Sequence, residues 1–366
     1  MRNILSVAVL AASLSTPTLA NDLNINGFLS VGATMASDDN VTFEGHDTTG
    51  GFKSDTILGL QISKQVNEST SVTGQLVSRG TEDYSTESAW AYVSYAATDN
   101  LELRLGRIRT PLYFYSDFLE VGYAYDWVRP PLEVYAPNAA AFSSLDGTDL
   151  TYNFSTGSFD NSVQLYYGRN NRTNISGVDS KHFSGVAFTS SNSSLTMRAS
   201  VHQVELHLSD TPPAGSLGAG IALLGAAGPD FVIDGENHYF YETGLSYDNG
   251  DISLVGEYTY FDAKNPAFLD SSAYMVKAAK RFGEFTPHLT YSNVSTSTDS
   301  GTNGAIQETL NLEDEQNSIT AGLRYDYDSS TALKFEIQQH TEKKVPQLGE
   351  VDETAMLYSV AVDVVF

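Results

Sequence analysis

Four arginines and four carboxylates are the groups whose types and spacing could do chemistry together: Arg79, Arg104, Arg107 and Arg109, then Asp117, Glu120, Asp126 and Glu133. A guanidinium is a permanent cation with a planar fork of donors, and a carboxylate is its natural acceptor. Facing one another across a gap, such groups set a field; side by side, they solvate a surface or pin a segment. Covalent chemistry has thinner support. The seven histidines, at 46, 182, 202, 207, 238, 288 and 340, show no His-Glu-x-x-His spacing, and His202 and His207 lie five apart, a poor spacing for a metal site on a strand. Gly-rich phosphate loops and nucleophile elbows are missing. The absence of Cys excludes disulfides, thiolate metal sites and cysteine catalysis. The expectation is a protein that is not an enzyme and needs no cofactor.

The rest of the chain must position these residues. It carries 45 Asp+Glu against 20 Lys+Arg, a net charge of −25, and a nucleic-acid partner would need a basic face instead. Residues 1–20 read as a secretory signal peptide: Arg2, an apolar stretch over Ile4–Leu14, and small residues ending at Ala20. The remaining 21–366 contains no run of ~18 apolar residues, so no transmembrane helix is expected. It alternates with period two instead. Leu23, Ile25, Leu29, Val31, Ala33 and Met35 share one face, and Asn24, Asn26, Ser30 and Thr34 the other, with Phe28 an exception. In Met356–Phe366, Tyr358, Val360, Val362, Val364 and Phe366 share a face, opposite Ser359, Ala361 and Asp363. Fourteen more such segments lie between, sixteen in all, with ambiguous phase near 182–190 and 272–282.

The connections alternate short and long. Asn67–Ser69, Thr98–Asn100, Asp248–Gly250 and Asp328–Ser330 are short and made of turn formers; Ala36–Ser54, Pro111–Asp146, Leu206–Glu236 and Val294–Gln316 are long. A soluble sandwich has no reason to gather its long loops at one end. A transmembrane barrel does, with turns toward the periplasm and loops outside. Backbone groups in hydrocarbon must be paired, so a spanning sheet has to close on itself. Its polar face then looks into water, which reconciles a mean hydropathy of −0.21 with a membrane protein. Tyr92, Tyr95, Tyr166, Tyr167, Tyr247, Tyr258, Tyr260, Tyr291, Tyr325 and Tyr327 suit interfacial girdles, the other reading being ordinary strand aromatics. The expected fold is all-β, a 16-stranded antiparallel transmembrane β-barrel. Leu101, Leu103 and Leu105 set the lipid face of their strand, so Arg104 points into the lumen, as do Arg79 and Arg198 by parity. Arg107 has the opposite parity unless a bulge at Gly106 re-aims it, and a lumenal or interfacial place is favoured because charge facing lipid is costly.

The signal peptide, sixteen alternating segments, short-turn and long-loop rhythm and C-terminal Phe366 together resemble the Gram-negative outer-membrane porins. The stretch LELRLGRIRTPLYFYSDFLEVGYAYDWVRPPLEVY, Leu101–Tyr135, is similar to the fifth strand and third loop of porins from marine and related gammaproteobacteria. The resemblance implies a homotrimer, a water-filled pore, a terminal Phe serving assembly, and a third loop, 111–146, folded inward to narrow the pore. The Pro-Glu-Phe-Gly-type motif of enterobacterial porins is missing from this loop. On that reading Arg79, Arg104, Arg107, Arg109, Asp117, Glu120, Asp126 and Glu133 form the constriction, where opposed charges order water and tune ion selectivity. For each arginine the bland alternative is a charge that solvates the wall; for each acid it is loop solvation or a salt bridge holding the loop down. The loop's aromatics, among them Tyr113, Phe114, Tyr115, Tyr125, Trp127 and Tyr135, either pack it on the wall, the favoured reading, or form a stacking surface for sugars.

The outer loops are acidic, with Asp38, Asp39, Glu44, Asp47, Asp299, Glu308 and Glu313 among others. This is solvated charge first; Ca²⁺ or Mg²⁺ bridging to lipopolysaccharide phosphates is the alternative. The Gly/Ala-rich segment 214–229 could pack in the mouth, meet a neighbouring subunit or touch lipid. The function expected is a bacterial outer-membrane channel passing small hydrophilic solutes and ions passively, with cation preference. A substrate-selective channel, for a sugar or other small solute, and a non-channel structural or adhesive barrel are the alternatives.

Overall fold

A computed structural model describes residues 23–38, 46–135, 142–170, 178–208, 230–309, 315–344 and 351–366. The signal segment 1–20, the Gly/Ala-rich segment 214–229, and Asp39, Glu44 and Glu313 lie outside the described residues.

Sixteen antiparallel strands close into one barrel in which every strand pairs with its neighbours in sequence and the first pairs with the last. They are β1 (Leu23–Ala36), β2 (Ile57–Asn67), β3 (Thr70–Arg79), β4 (Thr86–Thr98), β5 (Leu101–Arg109), β6 (Ser144–Thr156), β7 (Phe159–Asn170) and β8 (Val178–Ser191), then β9 (Leu195–Leu208), β10 (Asp234–Asp248), β11 (Ile252–Asp262), β12 (Asp270–Lys280), β13 (Phe285–Ser297), β14 (Glu315–Asp326), β15 (Thr331–Lys344) and β16 (Val351–Val365). The seam is β1 against β16, with Phe28 opposite Val365 and Ala36 opposite Leu357. Backbone bonds between Gly27 and Phe366, 2.7 and 3.0 Å, extend it to the last residue.

Alternation sorts the two faces. Ile319, Phe335, Ile337, Tyr358, Val360 and Val362 are exposed on the outside, while Thr320, Lys334, Glu336, Gln338, Ser359 and Asp363 are buried within. An outward apolar belt around a closed sheet is what a bilayer stabilises. None of the described helices is long and apolar enough to cross a membrane. Phe28 keeps its inward parity and packs there with Val77 and Ala89, which accounts for the break in pattern. The phase ambiguity near 182–190 has a local cause: pairing slips between Lys181 and Ser184, and His182 has φ 47°. In β12 both faces are apolar, with Tyr274 and Val276 out and Met275 in.

Two α-helices and three short 3-10 helices occur among the described residues outside the sheet. Helix α1 (Leu132–Tyr135) belongs to the third loop, and α2 (Gly301–Thr309) forms within the long connection between β13 and β14. The third loop is shorter than expected, because β6 begins at Ser144 and includes Asp146.

Candidate functional site

The third loop lies inside the barrel, and its attachments explain where most of the candidate residues sit. It leaves β5 at Arg109. There Arg198 of β9 donates to Pro111 O, and Glu257 of β11 accepts from Phe114 N at 2.8 Å and from the Tyr135 hydroxyl. Arg324 of β14 donates to Tyr123 O and Tyr125 O at 2.7 and 2.8 Å. Lys334 of β15 donates to Gly122 O and Trp127 O, both at 2.6 Å, and pairs with Asp363 at 2.8 Å. Trp127 Nε1 donates to Thr290 of β13 at 2.8 Å. Arg129 reaches Thr34 of β1, Asp55 and Ser359 of β16 at 2.9, 2.7 and 3.1 Å. The loop is thus fastened along β9–β16 and β1.

Its aromatics pack rather than line an open track. Tyr113, Tyr115, Tyr125, Trp127 and Tyr135 are buried in one cluster, with ring centroids 5.2–6.5 Å apart in tilted and edge-on contacts. Gly122 permits the close approach: a Cβ there would stand 2.2 Å from Asp363 Oδ1 and 2.5 Å from Ser30 Oγ.

Three of the four candidate acids take part in this fastening. Glu120 is gripped by Arg79, through Nε at 2.9 Å and through Nη2, and lies 3.4 Å from Arg109. Asp126 pairs with Lys277 of β12, whose ammonium lies 4.7 Å from the Trp127 ring centroid. Glu133 accepts from Ser292 at 2.8 Å and from Ser318, with His340 Nδ1 3.5 Å away. Burial alone would raise all three carboxyls. For Glu120 the Arg109 and Arg79 charges outweigh it, for Asp126 the Lys277 charge, and for Glu133 the bonds from His340 and Ser318, so all three lie below the usual carboxylate range. Asp117 differs: it is exposed, and close enough to Arg104 for the two charges to interact.

The arginines divide as well. Arg104 points inward, donates from Nε to Asp149 at 2.9 Å and from Nη2 to the same carboxylate, and lies 5.4 Å from the Tyr92 ring centroid. Arg79 is inward and bound to Glu120 and Glu87. Arg109, at the strand end, turns in and donates to Ser116 O at 2.7 Å. Arg107 is a correction. Gly106 has φ 134°, yet pairing to β4 and β6 stays in register on both sides, so no bulge re-aims the next residue. Arg107 keeps the outward parity of Leu103 and Leu105, 3.5 Å from the exposed Asp146, and is not part of a constriction. Tyr92 and Tyr166 are corrected too: neither is a girdle residue. Tyr92 lies inside under Arg104, and Tyr166 is buried with its hydroxyl 2.6 Å from His202 Nδ1. Tyr95, Tyr167, Tyr247, Tyr258, Tyr291 and Tyr327 are exposed, as girdle residues should be.

The wall of β2–β8 carries few loop attachments besides the Arg79–Glu120 pair. Gln61 and Gln75 bond each other at 3.2 Å, Ser94 donates to Glu102, and Gln164 donates to Asp149 at 2.8 Å beside Arg104. Sequence reasoning missed this ladder, and also missed Lys277, Arg324 and Lys334 as the cations that hold the loop. The inward parity of Arg324 and Lys334 was visible, while Lys277 falls in the segment of ambiguous phase, and for none of the three did the sequence show what it would meet. Among the described residues no group of three or more His, Asp or Glu could hold a metal ion.

A closed barrel with an apolar outer belt, a polar lumen and a long loop fastened inside defines an outer-membrane pore protein. Its sequence agrees: the model of the Gram-negative porin family matches residues 6–363, and the chain belongs to that family. No curated protein matches the chain. Similar solved structures include an anion-selective porin from Comamonas acidovorans, at 16% identity and TM-score 0.62, covering 95% of this chain and 100% of that one. A Salmonella typhi OmpF complex with daunomycin is 14% identical with TM-score 0.61, over 94% of this chain and 98% of that one. A trimer form of the outer membrane protein OmpT of Vibrio cholerae is 13% identical with TM-score 0.58, over 95% and 100%. At these identities the likeness is one of fold. The protein is a porin of the bacterial outer membrane.

Proposed function

We propose that this porin passes small hydrophilic solutes and ions by passive diffusion, prefers cations, and works as a homotrimer. No catalytic step enters this reading. The observation that carries it is the division of the lumen: one wall is occupied by the fastened loop, while the β2–β8 wall keeps part-exposed polar side chains such as Gln61, Thr73 and Gln164. A solute would pass between the two, where Asp117 and Arg104 stand within electrostatic reach. Cation preference draws support from the net charge of −25 and from Asp117, while Arg79 and Arg104 are each tied to carboxylates. The trimer draws support from the trimer form of a similar structure. Exposed acids of the outer loops, including Asp38, Asp47, Asp83 and Asp299, are the groups through which Ca²⁺ or Mg²⁺ would bridge to lipopolysaccharide phosphates. Planar-bilayer recording under a salt gradient tests the reading. Steps closing in threes with a cation-selective reversal potential are expected. Small steps blocked by a sugar would replace it with a substrate-selective channel, and silence from a verified folded barrel with a non-channel role.

A further inference from the structure

Most carboxylates on the inner face of the barrel find a cation. Asp149 meets Arg104, Asp248 meets Arg281, Asp363 meets Lys334, and the loop acids Glu120 and Asp126 meet Arg79 and Lys277. Glu102 of β5 departs from this pattern. It shares the inward face of Arg104 and lies opposite Ala96 of β4 and Thr151 of β6. Its carboxylate accepts from the Ser94 hydroxyl, and among the described residues no Lys, Arg or His stands within ion-pair distance of it. The other arginines of β5 do not supply one: Arg107 faces outward and Arg109 turns to the third loop. Arg104 directs two of its nitrogens to Asp149. One guanidinium therefore stands against two carboxylates, Asp149 and Glu102, and this part of the wall keeps a net negative charge.

Two residues along an antiparallel strand span about 7 Å, so Glu102 stands that far below Arg104, toward the turn at Thr98–Asn100. It is part-exposed and bonds only to its own wall among the described residues. A carboxylate without a cation is stable where water reaches it, which places this one at the aqueous lumen. Farther down the same wall, Asp160 of β7 lies on the face of Gln164 and accepts from Ser155 at 2.7 Å. Among the described residues it is the sole charged group lining a polar cavity of about 380 Å³ at the periplasmic ends of β6–β8, beside Asn153, Ser162 and Thr189. A charge acts over about 10 Å at 0.1 M salt, and low-dielectric walls concentrate its field. We propose that Glu102 is a selectivity residue of the pore, its carboxylate drawing small hydrated inorganic cations down the uncovered wall below the Arg104–Asp149 pair, with Asp160 receiving them at the periplasmic mouth. This assignment rests on the channel reading above.

Bilayer recording of the purified folded protein in a KCl gradient tests it. Glu102→Gln keeps the shape of the side chain and an oxygen for Ser94, and removes only the charge. It is expected to lower the K⁺/Cl⁻ permeability ratio by about twofold or more at low salt, and by less at high salt. Asp160→Asn is expected to give a smaller fall. Asp251→Asn removes one exposed acid from a periplasmic turn, with the same change in net charge, and is expected to leave the ratio where it was. An unchanged ratio in Glu102→Gln, or equal falls in Glu102→Gln and Asp251→Asn, overturns the assignment and keeps the channel. No change in Asp160→Asn removes the station at the mouth. A parent protein that conducts without cation preference, but shifts toward anions in Glu102→Gln, overturns the preference stated above and keeps Glu102. Silence from a verified folded barrel overturns both.

Discussion

The two halves of the lumen wall are built from the same alternating strands and use their inward charges in opposite ways. Along β9–β16 and β1, Lys277, Arg324, Lys334, Glu257 and Glu336 spend their hydrogen bonds on the third loop and are largely shut off from water. Along β4–β7, Arg104, Asp149, Gln164 and Glu102 bond to neighbours on their own wall, and Arg104 and Gln164 stay part-exposed. The difference teaches that inward parity does not make a charged residue a selectivity residue. What decides is whether a loop covers it. A covered charge must be paired and fixes structure; an uncovered one still acts on passing ions.

The strongest way to break the comparison is to remove a covered charge. Lys334→Met leaves Asp363 buried without its cation and strips two loop carbonyls of their donor, and breaking a buried pair of this kind costs about 3–5 kcal/mol. The loop is expected to detach, giving a noisier, larger conductance and a red-shifted Trp127 emission in a Trp90→Phe background. Unchanged emission would put Lys334 outside the fastening. Gly122→Val acts on the same contact sterically, since its Cβ would overlap Asp363 and Ser30. A cost of about 1–3 kcal/mol is expected for overpacking, read as protease cleavage within the loop of the folded barrel.

The uncovered wall should respond in selectivity, although Arg104→Glu also leaves the buried Asp149 without its cation. Arg104→Glu is expected to raise cation selectivity, while Arg107→Glu, on the outer face, should leave the reversal potential where it was. If the two variants behave alike, the inside-outside assignment at Gly106 is wrong. Smaller still is the pH effect. Glu120, Asp126 and Glu133 have lowered pKa values in the folded loop, so their contribution is fully present above the ordinary carboxyl range and fades as pH falls through the lowered values. Trp127 emission should therefore shift as pH falls below about 4, where these three pairs are lost. No shift down to about pH 2 would contradict the ion pairs. Asp117→Asn, removing one exposed charge, should lower cation preference slightly, by a few millivolts in reversal potential at low salt and less at high salt.

Much of this was legible beforehand, and for a local reason. The period of two sets which side chains face lipid, so the sixteen strands, the alternation of short turns with long loops, and the inward direction of Arg79, Arg104 and Arg198 follow from nearest neighbours in the chain. The inward fold of the third loop came from resemblance to porins, because no periodicity in residues 111–143 says which side of the barrel they occupy. Tertiary structure alone decided what each charge does there. Glu133 meets Ser318 across 185 positions of sequence, Lys334 meets Gly122 across 212, and Arg129 meets Ser359 across 230. Parity tells a side chain which way to point. Whether it then finds water, a loop carbonyl or an opposite charge depends on barrel closure, which brings distant strands around one loop, and no local pattern encodes that meeting.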